Sequence, residues 1–454
     1  MFLNSIAFLM LAGCSGEDLP PPPIDEDGDG YTVEDDCDDS DPTRWDQVEI
    51  FYGDLSPDAL GDAFDEALDD FCVAACERSV SGGVDLSRVS PGQIAGLDCL
   101  TELGGDLIIN DNDDLSDLSG LERLAAIGGG LTLWNNDGLS DLSALESLAI
   151  VGGLGIMKNP ALQGLQGLER LTTVEGYFEI YDNAALATLA GLEELSFIAS
   201  GFSISSNPAL GDLSALESLY VIEGVFGVSG NDSLVDFTGL ERLTHVDRMA
   251  ISNNPSLRDF SGLGSLTGIG GDAVVSNNTS LVDFTGLESL TDIDEDVEIV
   301  GNPSLVDLSG LERLADIDGY LMLNENAALR DLSGLGALAE VGGTLYLKDN
   351  ASLAALTGLE GLAAIGGQLD IAGNPALVDL SGAGALTSIG GTLYLYRNAA
   401  LSDLSGLYGV EQVGSNVEIS GNDCLDTAEA EALRDAIGEE NIGGSVVIED
   451  NGGC

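Results

Sequence analysis

Carboxylates crowd one short stretch of this chain in an order that suits a hard cation. Residues 25–41 read DEDGDGYTVEDDCDDSD. Asp25, Asp27 and Asp29 stand at the first, third and fifth places, and Gly30 permits a sharp turn at the sixth. Tyr31 offers its carbonyl at the seventh place, and Asp36 closes the loop at the twelfth. Oxygen donors so spaced can wrap one calcium ion. Asp38, Asp39 and Asp41 could serve a second ion. The competing reading is a solvated acidic linker. The register of glycine and carboxylates favours calcium, in a structural role at a junction.

Cysteine offers the second chemistry. Cys37, Cys72, Cys76, Cys99, Cys424 and Cys454 form an even set, as expected of disulfides in an exported chain. Cys424 and Cys454 bracket the C-terminal segment and are expected to pair, pinning a cap there. Ser56-Pro57 opens a helix with Leu60, Phe64, Leu68 and Phe71 on one face. Cys72 and Cys76 fall one turn apart on it, so one is expected to bond Cys37 and the other Cys99, in either order. Zinc is the weaker alternative, since the one histidine, His245, is remote in sequence.

The charge balance narrows the partners. Lys plus Arg number 14 against 79 Asp plus Glu, a formal net charge of −65. Nucleic acid and anionic lipid surfaces are poor partners on that ground. Four Pro residues, Pro20 to Pro23, make a stiff extended spacer ahead of everything folded.

What must position any site is a repeat. Asn112, Asn136, Asn159, Asn183, Asn207, Asn231, Asn254, Asn278, Asn302, Asn326, Asn350, Asn374, Asn398 and Asn422 follow at intervals of 24 residues, with two of 23. Such a period means one coil per unit, stable only when stacked. In residues 344–367, TLYLKDNASLAALTGLEGLAAIGG, Leu345 and Leu347 alternate inward from a short strand. Leu353, Leu356, Leu359, Leu362 and Ile365 then recur every third residue, a period for a tight turning leg rather than a long helix. The expected stack has one parallel sheet along one side. Gly366-Gly367 is expected to take positive φ where the chain re-enters the strand. Each asparagine is expected to point inward and bond backbone groups at the bend, stacking on the next coil.

Two further rows recur. Ser119-Gly-Leu-Glu122, Ser143-Ala-Leu-Glu146, Ser214-Ala-Leu-Glu217, Thr238-Gly-Leu-Glu241, Thr285-Gly-Leu-Glu288 and Ser309-Gly-Leu-Glu312 read as capping boxes, with hydroxyl and glutamate both taking turn amides. Ten of the fourteen coils carry an aspartate five residues after the asparagine, six of them consecutive from Asp212 to Asp331. Neighbours about 4.8 Å apart would repel by about 0.9 kcal/mol in water, so something must compensate. Local bonds to turn amides are the preferred explanation, ahead of a row of cation sites.

The outward strand positions bear on binding. Ser203, Gly227, Ala250 and Val274, with Ser205, Ser229, Ser252 and Ser276 beside them, form a small uncharged strip. Trp134 and Tyr181 lie on the same rows towards the N-terminus, and Tyr346, Tyr394 and Tyr396 towards the C-terminus. Aromatic residues on a strand face suit stacking on sugar rings or packing on a partner. They are the candidate ligand face, against ordinary tolerated surface.

On these residues the chain resembles two families. It is similar to leucine-rich repeats, with two residues rather than one between Asn350 and Leu353. The run I-G-G-x-L-x-I-x-x-N-x-x-L-x-x-L more closely resembles the receptor L domain, over about residues 97–422. That resemblance implies a right-handed single-stranded parallel β-helix and extracellular recognition. The segment DGDGYTVEDDCDDSDP resembles the calcium modules of thrombospondin type 3 repeats. MFLNSIAFLMLAGC, ending Leu11-Ala12-Gly13-Cys14, is similar to the lipobox of bacterial lipoproteins, which implies acylation at Cys14 and anchoring at the outer membrane or cell surface.

The expected organisation is therefore a lipoprotein signal (1–14), tether (15–24), calcium segment (25–46) and helical N-terminal cap (47–96). An all-β solenoid of about fourteen coils (97–422) and a disulfide-pinned C-terminal cap (423–454) follow. The expected function is a non-catalytic recognition or adhesion scaffold for a protein or glycan ligand, with structural calcium near the anchor and membrane contact only through the lipid. The alternatives are a polysaccharide-active β-helix enzyme and a purely structural spacer. Against the enzyme, Arg123, Arg170, Arg242 and Arg313 occupy one equivalent repeat position and make a surface row, not a catalytic cluster.

Overall fold

The computed structural model describes residues 48–51, 55, 72, 77–452 and 454. The signal, the tether, the calcium segment and the helix expected from Ser56 lie outside the described residues, as do Cys14, Cys37 and Cys76.

Parallel strands stacked coil upon coil make up the described residues, with very little helix among them. One coil shows the physics. The strand Leu345–Lys348 pairs in register with Leu369–Ala372, which sends Leu345 and Leu347 inward and Tyr346 and Lys348 outward. A short strand, Glu340–Val341, pairs with Ala364–Ile365 just upstream. The one parallel sheet expected thus has two adjoining columns of strands, and in Val221–Ser229 and His245–Ser252 the two fuse into one strand. Beyond Asn350, the amides of Leu353, Leu359 and Leu362 bond carbonyls three residues back, at 3.0–3.1 Å. Successive three-residue steps keep Leu353, Leu356, Leu359, Leu362 and Ile365 at 1% exposure or less, so the period of three marks a wholly inward row. Each such side chain contributes about 2 kcal/mol through burial, but only because neighbouring coils close over it.

The glycine pair differs from expectation. Neither Gly366 nor Gly367 has positive φ. They are glycine because coils approach closely there: a Cβ on Gly366 would lie 2.0 Å from the Gly342 carbonyl oxygen. Left-handed backbone sits instead at the residue before each asparagine, as at Asp349 (φ 55°), where the chain turns its corner.

Parallel pairing also continues ahead of residue 97. Val48–Phe51 pairs with Glu77–Val80, which pairs with Leu100–Leu103. The described part of the segment expected to be a helical cap therefore contributes strands, Val48–Phe51, Glu77–Val80 and Val84–Asp85, and one short helix, Pro91–Ala95. Cys72 and Cys99 are joined there, with Cα atoms 5.5 Å apart. At the other end, the helix Thr427–Ile437 starts with the Asp426 carboxylate accepting from the Ala428 amide at 2.9 Å. It buries Ala430, Leu433 and Ile437 over the end of the core. A last strand, Val446–Glu449, pairs with Val417–Ser420, and Cys454 is joined to Cys424.

Within the core the apolar rows are mostly leucine, except for a column of phenylalanines. Phe178, Phe202 and Phe226 rise on the strand side, and Phe237, Phe260 and Phe284 continue on the turning leg. Ring centroids follow at 4.9, 5.5, 5.8, 5.6 and 5.2 Å. Six rings thus pack in one file along the middle coils.

Candidate recognition face

The polar rows sort themselves by what they bond. In the repeat row, every asparagine from Asn136 to Asn422 is 0% exposed, and Asn112 is 4% exposed. The amide of Asn254 donates to Asn278 Oδ1 at 3.0 Å, and Asn278 Nδ2 donates to the Ile251 carbonyl at 3.0 Å. The same pair of bonds recurs coil after coil, so the row is a buried ladder with no capacity left for a ligand.

The aspartate row is equally local. Asp117, Asp141, Asp212, Asp236, Asp259, Asp283, Asp307, Asp331, Asp379 and Asp403 each accept the amide two residues on, at 2.8–3.1 Å. The preferred reading of that row is the correct one. It also corrects the capping boxes, because the amide of the Ser or Thr goes to aspartate rather than to the glutamate. The glutamate reaches the intervening glycine instead: Gly310 donates to Glu312 Oε1 at 3.0 Å. That glycine has φ 107°, whereas Ala144 and Ala215 in its place convert the leg to short 3₁₀ turns.

These bonds leave an electrostatic mark. The Ser119 hydroxyl and amide hold the Asp117 carboxyl below its usual value, with a lesser bond from Ser116. Ser405 does the same for Asp403, and Asn135, then Arg88, for Asp111. Turn carboxylates held this way are poor proton donors at neutral pH.

The outward strand face remains. Register places Trp134, Met157 and Tyr181 on adjacent coils of one row. Trp134 is 41% exposed, and the Lys158 ammonium lies 5.6 Å from its ring centroid. Tyr177, which the sequence reading passed over, joins this group. A Cβ built on Gly153 would meet its ring at 2.6 Å, so the ring lies over the glycine backbone at 45% exposure. Only glycine at that place makes the seat, and the motif Gly176-Tyr177-Phe178 was the available signal.

A second group sits towards the C-terminus. Tyr346 and Tyr394 lie on one row either side of Asp370, with Tyr396 on the next row and 38% exposed. Lys348 lies 5.0 Å from the Tyr346 centroid and pairs with Asp370 at 2.6 Å, and Arg397 lies 4.7 Å from the Tyr396 centroid. Tyr320 stands edge-on to Tyr346 at 6.1 Å, and its hydroxyl donates to Glu298, which raises its pKa. Tyr320 fills the pre-strand place that Tyr177 fills in its own coil, and it too was missed. Between the two groups run Ser203 and Ser205, Gly227 and Ser229, Ala250 and Ser252, and Val274 and Ser276, in unbroken register.

A concavity of about 450 Å³ lies elsewhere, at the C-terminal end, lined by Thr387, Ser388, Glu411, Gln412, Glu440 and Asn441. It has hydroxyls, amides and carboxylates but no aromatic surface, so the stacking chemistry stays with the strand face. No set of three His, Cys, Asp or Glu among the described residues is placed to hold a metal ion, and the segment expected to bind calcium falls outside them. No helix among the described residues is long and apolar enough to cross a membrane.

No family model matches the chain, and no curated protein matches it. Among solved structures, a crystal structure of the TLR13–ssRNA13 complex is similar over 89% of this chain and 73% of that one, at 14% identity and a TM-score of 0.23. A superposition that loose carries nothing about ligand or mechanism to this chain.

Proposed function

We propose that this chain is a non-catalytic recognition scaffold of the cell envelope, exported and held by a lipid on Cys14, with its outward strand face as the ligand surface. The observation that carries the reading is the presence of two aromatic groups on one face, around Trp134 and around Tyr346 and Tyr396, with four coils of small residues between them. A stacked solenoid keeps such groups at fixed spacing without any ordering cost on binding. Fourteen coils give a rod of about 65–70 Å, long enough for an extended interface.

Calcium in residues 25–36 belongs to the proposal as a brace between tether and rod, with Asp25, Asp27, Asp29, Tyr31 and Asp36 as ligands.

The test is capture from intact envelopes by the immobilised full-length chain, beside a Trp134→Ala, Tyr346→Ala, Tyr396→Ala variant. Retention of one component by the parent chain and its loss with the variant is the expected outcome. Equal retention by both would remove the strand face from consideration. Release of unsaturated or shortened sugars by the purified chain would instead establish an enzyme. Isothermal calorimetry on the chain should show calcium uptake that Asp27→Asn and Asp29→Asn abolish.

A further inference from the structure

We infer that the strand face holds one extended polysaccharide at both aromatic groups at once, with sparse acidic substituents on the sugar meeting Lys158 and Arg397. This rests on the recognition reading above and adds the chemistry of the ligand.

Cation placement is the first ground. The chain has only two lysines, Lys158 and Lys348, and both lie over outward aromatic rings of this face. Arg397 repeats the arrangement over Tyr396. In a molecule of net charge −65, three cations set beside outward rings make local exceptions to an acidic field. Lys348 is neutralised by Asp370, but Lys158 and Arg397 have no ion pair among the described residues.

Backbone conformation is the second ground. Lys158 and Arg397 stand at the left-handed corner, with φ of 54° and 55°. Glycine takes the same corner in four other asparagine coils, and Asp111, Asn135, Asp182, Ser206, Asn253, Asn277, Glu325 and Asp349 take it in the rest, none of them cationic. Lys158 and Arg397 are thus the cations at this corner among the asparagine coils, and each stands beside an outward ring.

The strip between the groups decides the class of partner. A protein interface needs a desolvated apolar centre with a polar rim. Here the order is reversed: the centre carries small side chains, Ser205, Ser229, Ser252 and Ser276 beside Gly227, Ala250 and Val274, and the aromatic surface lies at the two ends. A polysaccharide fits that order, stacking rings at the ends and bonding hydroxyls in between. Glu179, Glu298, Asp370 and Glu418 on the same outward row would repel a chain charged at every sugar, so its acidic groups must be spaced out. Lys158 and Arg397 stand ten coils apart, a span of about 48 Å.

The probes are hyaluronan oligosaccharides, which carry one carboxylate per two sugars, bound to the full-length chain in detergent. The dodecasaccharide should bind about 100-fold more tightly than the tetrasaccharide, because only the longer chain reaches both groups. Lys158→Gln or Arg397→Gln should each weaken the dodecasaccharide about tenfold, while Lys158→Arg does not. The same dodecasaccharide with its carboxylates reduced to alcohols should bind more weakly and ignore both Gln variants. Equal binding of the charged and reduced forms would overturn the acidic-substituent inference and leave the recognition reading standing. Equal binding of long and short probes would overturn simultaneous attachment. If no probe binds while the aromatic triple variant still loses its envelope ligand, the polysaccharide inference fails and the recognition reading survives. If that variant keeps its ligand, the recognition reading fails as well.

Discussion

The backbone amide of Asn422 donates to Asn451 Oδ1 at 3.1 Å, across 29 residues of sequence. Asn451 Nδ2 in turn donates to the Ile419 carbonyl at 2.7 Å. The C-terminal cap thus ends in a fifteenth rung of the same ladder, and the cap helix merely lengthens the path to it.

Position along the column sets what losing a rung should do. Asn278→Ala strips partners from the Asn254 amide and the Ile251 carbonyl in the middle of the stack. It should cost about 2–4 kcal/mol, read as a lower urea midpoint. Asn451→Ala should change stability by no more than about 0.5 kcal/mol and speed hydrogen exchange only from Val417 onward. Uniform loss of protection in the terminal variant would contradict the ladder's locality.

The phenylalanine file predicts a mid-rod weak point. Phe260 touches Phe237 and Phe284 at centroid distances of 5.6 and 5.2 Å and is wholly buried. Phe260→Ala should cost about 3–5 kcal/mol, and Phe260→Leu about 1–2 kcal/mol because leucine fills this row elsewhere. Thermal unfolding of the two variants checks the order.

Glycine in the turning leg has a built-in alternative. Gly358 has φ 107°, and a Cβ there would lie 2.0 Å from the Leu332 carbonyl oxygen. Gly358→Ala should nonetheless cost only about 1–2 kcal/mol, by moving the leg to the 3₁₀ form already used at Ala144 and Ala215. The Gly358 amide donates to Glu360 at 2.9 Å only in the left-handed form. Glu360→Ala should therefore matter in the parent chain and not in the Gly358→Ala background, a coupling that a double-mutant cycle measures.

Acid should loosen particular turns. The carboxyls of Asp117 and Asp403 lie below the ordinary 3.8 because Ser119 and Ser405 donate to them. A depressed folded-state pKa gives stability present above the unfolded value and lost as pH falls through the folded one. Carbon-detected NMR titration should put both midpoints below 3.8, and a midpoint at or above that value would refute the turn bonds.

Legibility in the sequence followed how many residue types each position can accept. The asparagine and leucine rows and the Cys424–Cys454 bridge could be read directly, because few side chains meet a buried bend, a sealed core or a chain-end pin. The Ser-x-x-Glu pattern misled because aspartate two residues earlier competes for the same amide, and spacing cannot say which oxygen takes it. Gly366-Gly367 misled because glycine serves close approach as well as positive φ. Asn451 was hidden by the helix Thr427–Ile437, which breaks the count. Tyr177 and Tyr320 were hidden because they sit just before the strands, where alternation no longer says which way a side chain points.

The asparagine column also has a direction, since each rung gives its amide forward and takes one from behind. Any coil can therefore meet any other across the same joint, as Asn254 meets Asn278 and Asn278 meets Asn302. Recombination that drops or doubles one whole period would shorten or lengthen the rod while both ends still close, so reach is a trait this lineage can adjust in steps without inventing new parts.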